Sequence, residues 1–191
     1  MSKSRKMCFI YTETTGLHTT NDDVIKKNLY SFARLVVLNY EIGHKEGNKF
    51  VSTKKVRSII KPRCMYISED SQKIHGITME QATNEGLEIE LVLETLMKDL
   101  TDVSVIISHN AEFHLKTLMA EFVRYNKPFS FKNYIIIDTI SFFHTMTFPK
   151  LDTLYTTFVD TKKSKKSVSN LDKIRLSFLR LYEKYEESLN T

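Results

Sequence analysis

The hydrophobic period changes once along this chain, and that change limits the fold more than any other feature. Up to about residue 60 the apolar residues run in strand-like blocks. Met7 to Thr12 reads as a short buried strand, "LYSFARLVVLNY" (29–40) as a β-branched central strand, and Lys54 to Ile60 as a third, ended by Lys61-Pro62. "GLHTTNDD" and "EIGHKEGNKF" between them read as polar connections, the second as a hairpin loop. Beyond residue 87 the period becomes helical. Ile89, Leu93, Leu96 and Leu100 share one face of a helix over 87–100. "VSVIIS" (103–108) is a strand, and Leu115, Leu118, Met119 and Phe122 mark the next helix. "YIIID" (134–138) is a further strand, followed by a helix near 150–158. The stripe Leu171, Ile174, Phe178, Leu181, Tyr185 gives a final helix of about five turns. Strands first and alternation afterwards predict an α/β fold: a three-strand meander and two further strands in one mixed sheet, with helices packed on it.

The chain is long enough, at 191 residues, to bury a sizeable core, and is read as one domain over 1–191 with its core at about 7–187. No run reaches the ~20 apolar residues of a membrane span. The apolar run Met7 to Tyr11 is too short for a secretion signal, so an intracellular protein is expected, in cytoplasm or nucleus. Two cysteines, Cys8 and Cys64, make neither a disulfide framework nor a zinc site. The net charge of +5 tilts the partner toward polyanions.

Five segments carry the chemistry, and each ends a strand or opens a helix: "YTETTGL" (11–17), "KIHGIT" (73–78), "SHNAEFHLKTL" (108–118), "IIIDTI" (135–140) and "SVSNLDKI" (167–174). In this order they resemble the DEDD superfamily of 3′-to-5′ exonucleases, the proofreading type with an RNase H-like fold. The resemblance implies four acidic residues holding two magnesium or manganese ions, which stabilise the attacking and leaving oxygens of a phosphodiester. It also implies a histidine general base five positions before the last acid.

Matched to that pattern, the chain is uneven. The first motif, Asp-x-Glu, is here Tyr11-Thr12-Glu13. The second, His-Asn-x-x-Phe-Asp, keeps His109, Asn110 and Phe113 but has His114 in place of the aspartate. The third, His-x-x-x-x-Asp, keeps Asp172 with Ser167 at the base. The tyrosine variant of the family fails as well, because Val168 occupies the tyrosine position. Glu13 and Asp172 are thus the remnant catalytic and metal-binding acids, and Tyr11, His114 and Ser167 the degenerate positions. Four carboxylates offset the +4 of two cations; two leave +2 uncompensated, and close cations then repel by many kcal/mol. No cofactor is expected, or magnesium or manganese if the chain is active. The resemblance further implies substrate binding by Thr14, Thr15, Gly16, Leu17, His109, Asn110 and Phe113. The basic patch Lys162, Lys163, Lys165 and Lys166 adds phosphate contacts beside the third motif.

Plainer roles compete at several positions. Ser169-x-x-Asp172 before an apolar stripe is also a capping box. Asp138 and His75 read as structural, and a lysine run is commonly a solvated loop. The expectation is an impaired or inactive exonuclease-like protein that binds single-stranded nucleic acid or serves a protein partner as an accessory factor. The alternatives are an active exonuclease with unusual ligands, with Glu112 or Asp138 replacing a lost acid or His114 holding one softer ion, and an interaction module that touches no nucleic acid.

Overall fold

The computed structural model describes residues 5–47, 49–142, 149–159 and 168–189. Lys162, Lys163, Lys165, Lys166 and Ser167 lie outside the described residues.

Five strands form one mixed sheet: β1 (Lys6–Thr14), β2 (Leu35–Glu46), β3 (Lys49–Ile59), β4 (Val103–Ser108) and β5 (Ile135–Asp138), in the order β3-β2-β1-β4-β5. β1 sits in the middle, antiparallel to β2 and parallel to β4; β3 pairs antiparallel with β2, and β5 parallel with β4. This is the mixed α/β sheet that the change of period predicts, in the RNase H-like arrangement that the family resemblance implies. The helices are α1 (Glu69–His75), α2 (Met79–Glu85), α3 (Ile89–Asp99), α4 (Ala111–Arg124), α5 (Leu151–Phe158) and α6 (Asn170–Leu189).

The central strand is buried on both faces. Cys8 and Ile10 join Leu38, Tyr40 and Ile106 in a core with Leu93 and Leu96 of α3 and Leu118 and Phe122 of α4. On the opposite face Phe9 and Ile107 pack against Leu171, Ile174 and Phe178 of α6. Side chains that alternate across β1 therefore meet different helices, which explains its nearly continuous apolar run. Val36, Val37, Ile59, Ile67, Ile77 and Ala82 form a third cluster under α1 and α2.

The second strand differs from the expected Leu29–Tyr40: it starts at Leu35 and continues through the stretch expected as a hairpin loop. Lys26–Ser31 is instead a 3-10 helix, in which the Asn28 side chain accepts from Ile25 N and donates to Asp23 O. Residues 41–46 look loop-like because they are polar, yet Glu41 is buried and pairs in register with Lys55. β2 runs almost to the turn, where Gly47 takes a left-handed φ of 56°. The two short helices α1 and α2 also lie outside the expected order. Each is one seven-residue segment, too short for a helical period, but each has a cap: Ser68 Oγ accepts from Ser71 N and Thr78 Oγ1 from Gln81 N. Gly76, at φ 75°, ends α1 in the left-handed conformation.

Candidate nucleic-acid site

β1 ends by delivering Tyr11 and Glu13 to one face, since residues two apart on a strand point the same way. α4 begins directly after β4, so its first turn brings His114 beside β1. The N-terminus of α6 closes the site with Ser169, Asn170 and Asp172. Two adjoining concavities result. One, of about 380 Å³, is lined by Tyr11, Glu13, His109, Asn110, His114 and Lys150 among others. The second, of about 620 Å³, extends over β2 and β3 to Lys55 and Arg57. Tyr11, Glu13, Ile74, His75 and Asn170 line both, so they form a continuous groove.

His114 is buried. Its Nδ1 lies 3.2 Å from the backbone N of Thr12 and 2.7 Å from the Thr12 hydroxyl. An N–H can only donate, so Nδ1 is an unprotonated acceptor and the ring proton sits on Nε2. Burial drives the imidazole pKa down to about 3, against the opposing pull of the His109 backbone carbonyl, and the ring stays neutral. With Nδ1 accepting from Thr12 and the proton on Nε2, no lone pair is left for a cation. Tyr11 packs on this ring with centroids 4.7 Å apart, and the Asn170 side chain lines both concavities beside it. Burial, then the charge of Glu13, pushes the phenol up to about 12, so Tyr11 is neutral too.

The two carboxylates have different surroundings. Asp172 closes the α6 cap: its backbone N donates to Ser169 Oγ, whose hydroxyl donates back to Oδ2 at 2.6 Å. Its Oδ1 receives Lys55 Nζ at 2.6 Å and Arg175 Nη2 at 3.0 Å. The buried Glu41 completes this cluster, 3.0 Å from Arg175 Nε. Burial alone would raise Asp172, but hydrogen bonds from Lys55, Ser169 and Arg175 bring it to about 2. Among the described residues Glu13 has no such partners. Burial pushes it up to about 7, with Arg57 opposing at longer range.

This asymmetry makes stability depend on pH. Glu13 binds its proton more tightly folded, near 7, than at its ordinary 4.5. Its contribution is therefore full below about 4.5 and is lost as pH rises through 7. Glu13→Gln is expected to leave stability unchanged at pH 4 and to raise it above pH 7. At about 1.4 kcal/mol per pKa unit the ceiling is near 3 kcal/mol, and solvent screening of a partly exposed carboxyl brings the gain to about 1–2 kcal/mol. Urea unfolding of both proteins across that range checks it; a gain independent of pH would contradict it.

The remaining expected site residues that are described line or border the groove. Leu17 and Ile74 project from its rim, each 82% exposed. The Thr14 hydroxyl donates to Gly16 O, and Thr15 is bound to Arg34 through both its backbone N and its hydroxyl, so the 14–17 turn is braced against β2. Phe113 is stacked on His18 at 4.4 Å. His109 lines the groove but spends both ring nitrogens internally, Nδ1 on the Thr139 hydroxyl and Nε2 on Pro149 O. Asp138 is the cap of α4, accepting from Asn110 N, Ala111 N and Ile140 N. It is not available to replace a lost acid. Glu112 is paired with Lys116 at 2.6 Å. Sequence reasoning missed Asn170, Arg57 and His18. Only the position of Asn170 in the first turn of an amphipathic helix pointed toward the site.

The profile of the RNase T exonuclease family matches residues 9–168. The chain belongs to this exonuclease family. By sequence alone, no curated protein matches the chain. Among solved structures, E. coli exonuclease I in complex with a dT13 oligonucleotide is similar over 97% of this chain, with TM-score 0.68 and 14% identity. Exonuclease I from Methylocaldum szegediense is similar over 94%, at TM-score 0.67 and 14% identity, and a product-bound exonuclease I over 93%, at 0.67 and 15%. These matches cover 42%, 40% and 43% of those longer chains, and at such identities they establish the fold.

The donor set of this family member does not fit a two-cation centre. A neutral phenol, a neutral imidazole whose free lone pair is taken by Thr12, and a carboxylate held by two cations stand at three of the four positions. Among the described residues, no three His, Cys, Asp or Glu side chains gather where they could hold a metal. No helix among the described residues is long and apolar enough to cross a membrane.

Proposed function

We propose that this exonuclease-family protein binds the end of a single nucleic-acid strand and does not hydrolyse it efficiently, acting as an accessory factor in nucleic-acid metabolism. One observation carries the reading: buried His114 accepts the Thr12 N–H and hydroxyl at Nδ1, which leaves its ring proton on Nε2 and no lone pair free, at the position where the family pattern has a metal-binding aspartate. The side chains around it, Tyr11 and Asn170, complete a neutral cluster where hydrolysis by the family's route needs concentrated negative charge. Supporting the binding half are the continuous groove, the projecting Leu17 and Ile74 at its rim, and the likeness to exonuclease I structures holding dT13 and dA16. The four lysines of 162–166 belong to the same reading through their place in the sequence.

Two measurements on one preparation test it. Single-stranded DNA and RNA are incubated with magnesium and then manganese, and released nucleotides are counted. Binding of the same strands is followed with a chelator present. The expected result is binding in chelator and negligible release. Rapid release abolished by Glu13→Gln overturns the reading toward an active enzyme. Absence of binding to any strand at low salt overturns it toward a protein-interaction module.

A further inference from the structure

Among the described residues, three basic side chains, Lys55, Arg57 and Lys173, line the β3 half of the groove. Two are already neutralised. Lys55 Nζ lies 2.6 Å from Asp172 and 3.7 Å from Glu41, and Lys173 Nζ lies 2.5 Å from Asp152. Arg57 is exposed and, among the described residues, has no carboxylate within 4 Å and no hydrogen bond. Register places it in the same cross-strand row as Tyr11, through Asn39 of β2. Its guanidinium therefore stands on the face that carries Tyr11 and Glu13. At the other end of the groove Lys150, just before α5, is likewise exposed and has no carboxylate within 4 Å among the described residues. Between these two cations lie Tyr11, His114 and Asn170, which carry no charge.

We propose that Arg57 and Lys150 bind phosphates of a single strand directly, one at each end of the groove, in the role that bound cations serve elsewhere in this family. The inference rests on the single-strand-binding reading and adds where and how the backbone is held. A phosphodiester carries one negative charge, and a groove holding Glu13 but no cation would repel it. Arg57, close enough for its charge to be felt by Glu13, offsets that repulsion. Guanidinium also offers paired N–H donors that match two phosphate oxygens, whereas the committed Lys55 and Lys173 would first have to break an ion pair.

The experiment is a salt titration of binding to a 5′-labelled oligothymidylate in chelator, using the full chain. Arg57→Gln and Lys150→Gln are compared with Lys98→Gln, which removes the same charge from α3 on the opposite face of the sheet. Arg57→Gln and Lys150→Gln are each expected to weaken binding several-fold. Each should also flatten the dependence of log K on log salt by about 0.7, the contribution of one phosphate contact on a single strand. Lys98→Gln should leave the slope unchanged. Thermal melts confirm that the exposed substitutions leave the fold intact. Slopes in Arg57→Gln and Lys150→Gln equal to that of Lys98→Gln overturn this inference while the binding reading stands. A change in one variant alone overturns the assignment of the other residue. Failure of the unmodified protein to bind, or binding that requires a divalent cation, overturns the binding reading as well.

Discussion

Glu121→Leu is expected to destabilise the protein by about 3–5 kcal/mol, the usual cost of removing one partner from a buried ionic cluster. Glu121 is almost wholly buried on α4, and its Oε1 accepts from Arg34 Nε at 2.9 Å, Arg124 Nη1 at 2.9 Å and the backbone N of Leu35 at 3.1 Å. Arg124 in turn donates to Leu29 O and Phe32 O. A single carboxylate thus ties the segment before β2, and the first residue of β2, to α4. Leucine would leave two largely buried guanidiniums facing an apolar group and one strand N–H unpaired. In a chain of this size that loss corresponds to a drop in melting temperature of roughly 10 °C or more. Denaturant unfolding measures the cost, and hydrogen exchange should show the new mobility concentrated between residues 29 and 35. A loss below about 1 kcal/mol would mean that the cluster only balances its own desolvation. The position matters for the groove because Arg34 also braces Thr15, the residue between Glu13 and the projecting Leu17.

How far such features can be read without coordinates depends on how local their causes are. The β4-α4-β5 unit was legible because each element carries its own period: "VSVIIS" is continuously apolar, and Leu115, Leu118 and Phe122 share a helix face. The start of β2 was not, because "LYSFARLVV" is strand-like in composition while residues 26–31 are held in a 3-10 turn by Asn28 and by Arg124, 95 residues away from Leu29. At the site, the substitutions at Tyr11 and His114 were visible from the motif spacing alone. Their consequence was not. That His114 is closed to metal depends on Thr12, and that Asp172 is drawn to the β3 edge depends on Lys55, 117 residues distant. Arg57 is silent in the sequence because nothing about an arginine in "KKVRS" says that Lys55 is paired and that Arg57, among the described residues, is not.

Tyr11→Asp/His114→Asp, which rebuilds two acids of the family pattern, is expected to lose about 3–5 kcal/mol in chelator and to regain most of it in manganese. Aspartate at 114 keeps the Thr12 donors but buries a charge where a neutral ring now sits. Together with Asp at 11 and Glu13 it concentrates three carboxylates around a space where, among the described residues, no cation pairs with Glu13. Such a set is unstable alone and is a hard-oxygen site for one divalent ion. At a hundredfold excess over its dissociation constant, the ion returns about 2.7 kcal/mol. The unmodified protein should melt at the same temperature in manganese and in chelator. A second ion needs Asp172, and that carboxylate stays with Lys55 and Arg175 in the variant, so nuclease activity should remain negligible even with manganese bound. Melting curves in chelator and across a manganese titration decide the matter. A double variant as stable as the parent and indifferent to manganese would show that these positions do not converge on a cation site, and a manganese-dependent rise in the parent would show that its neutral cluster leaves room for one.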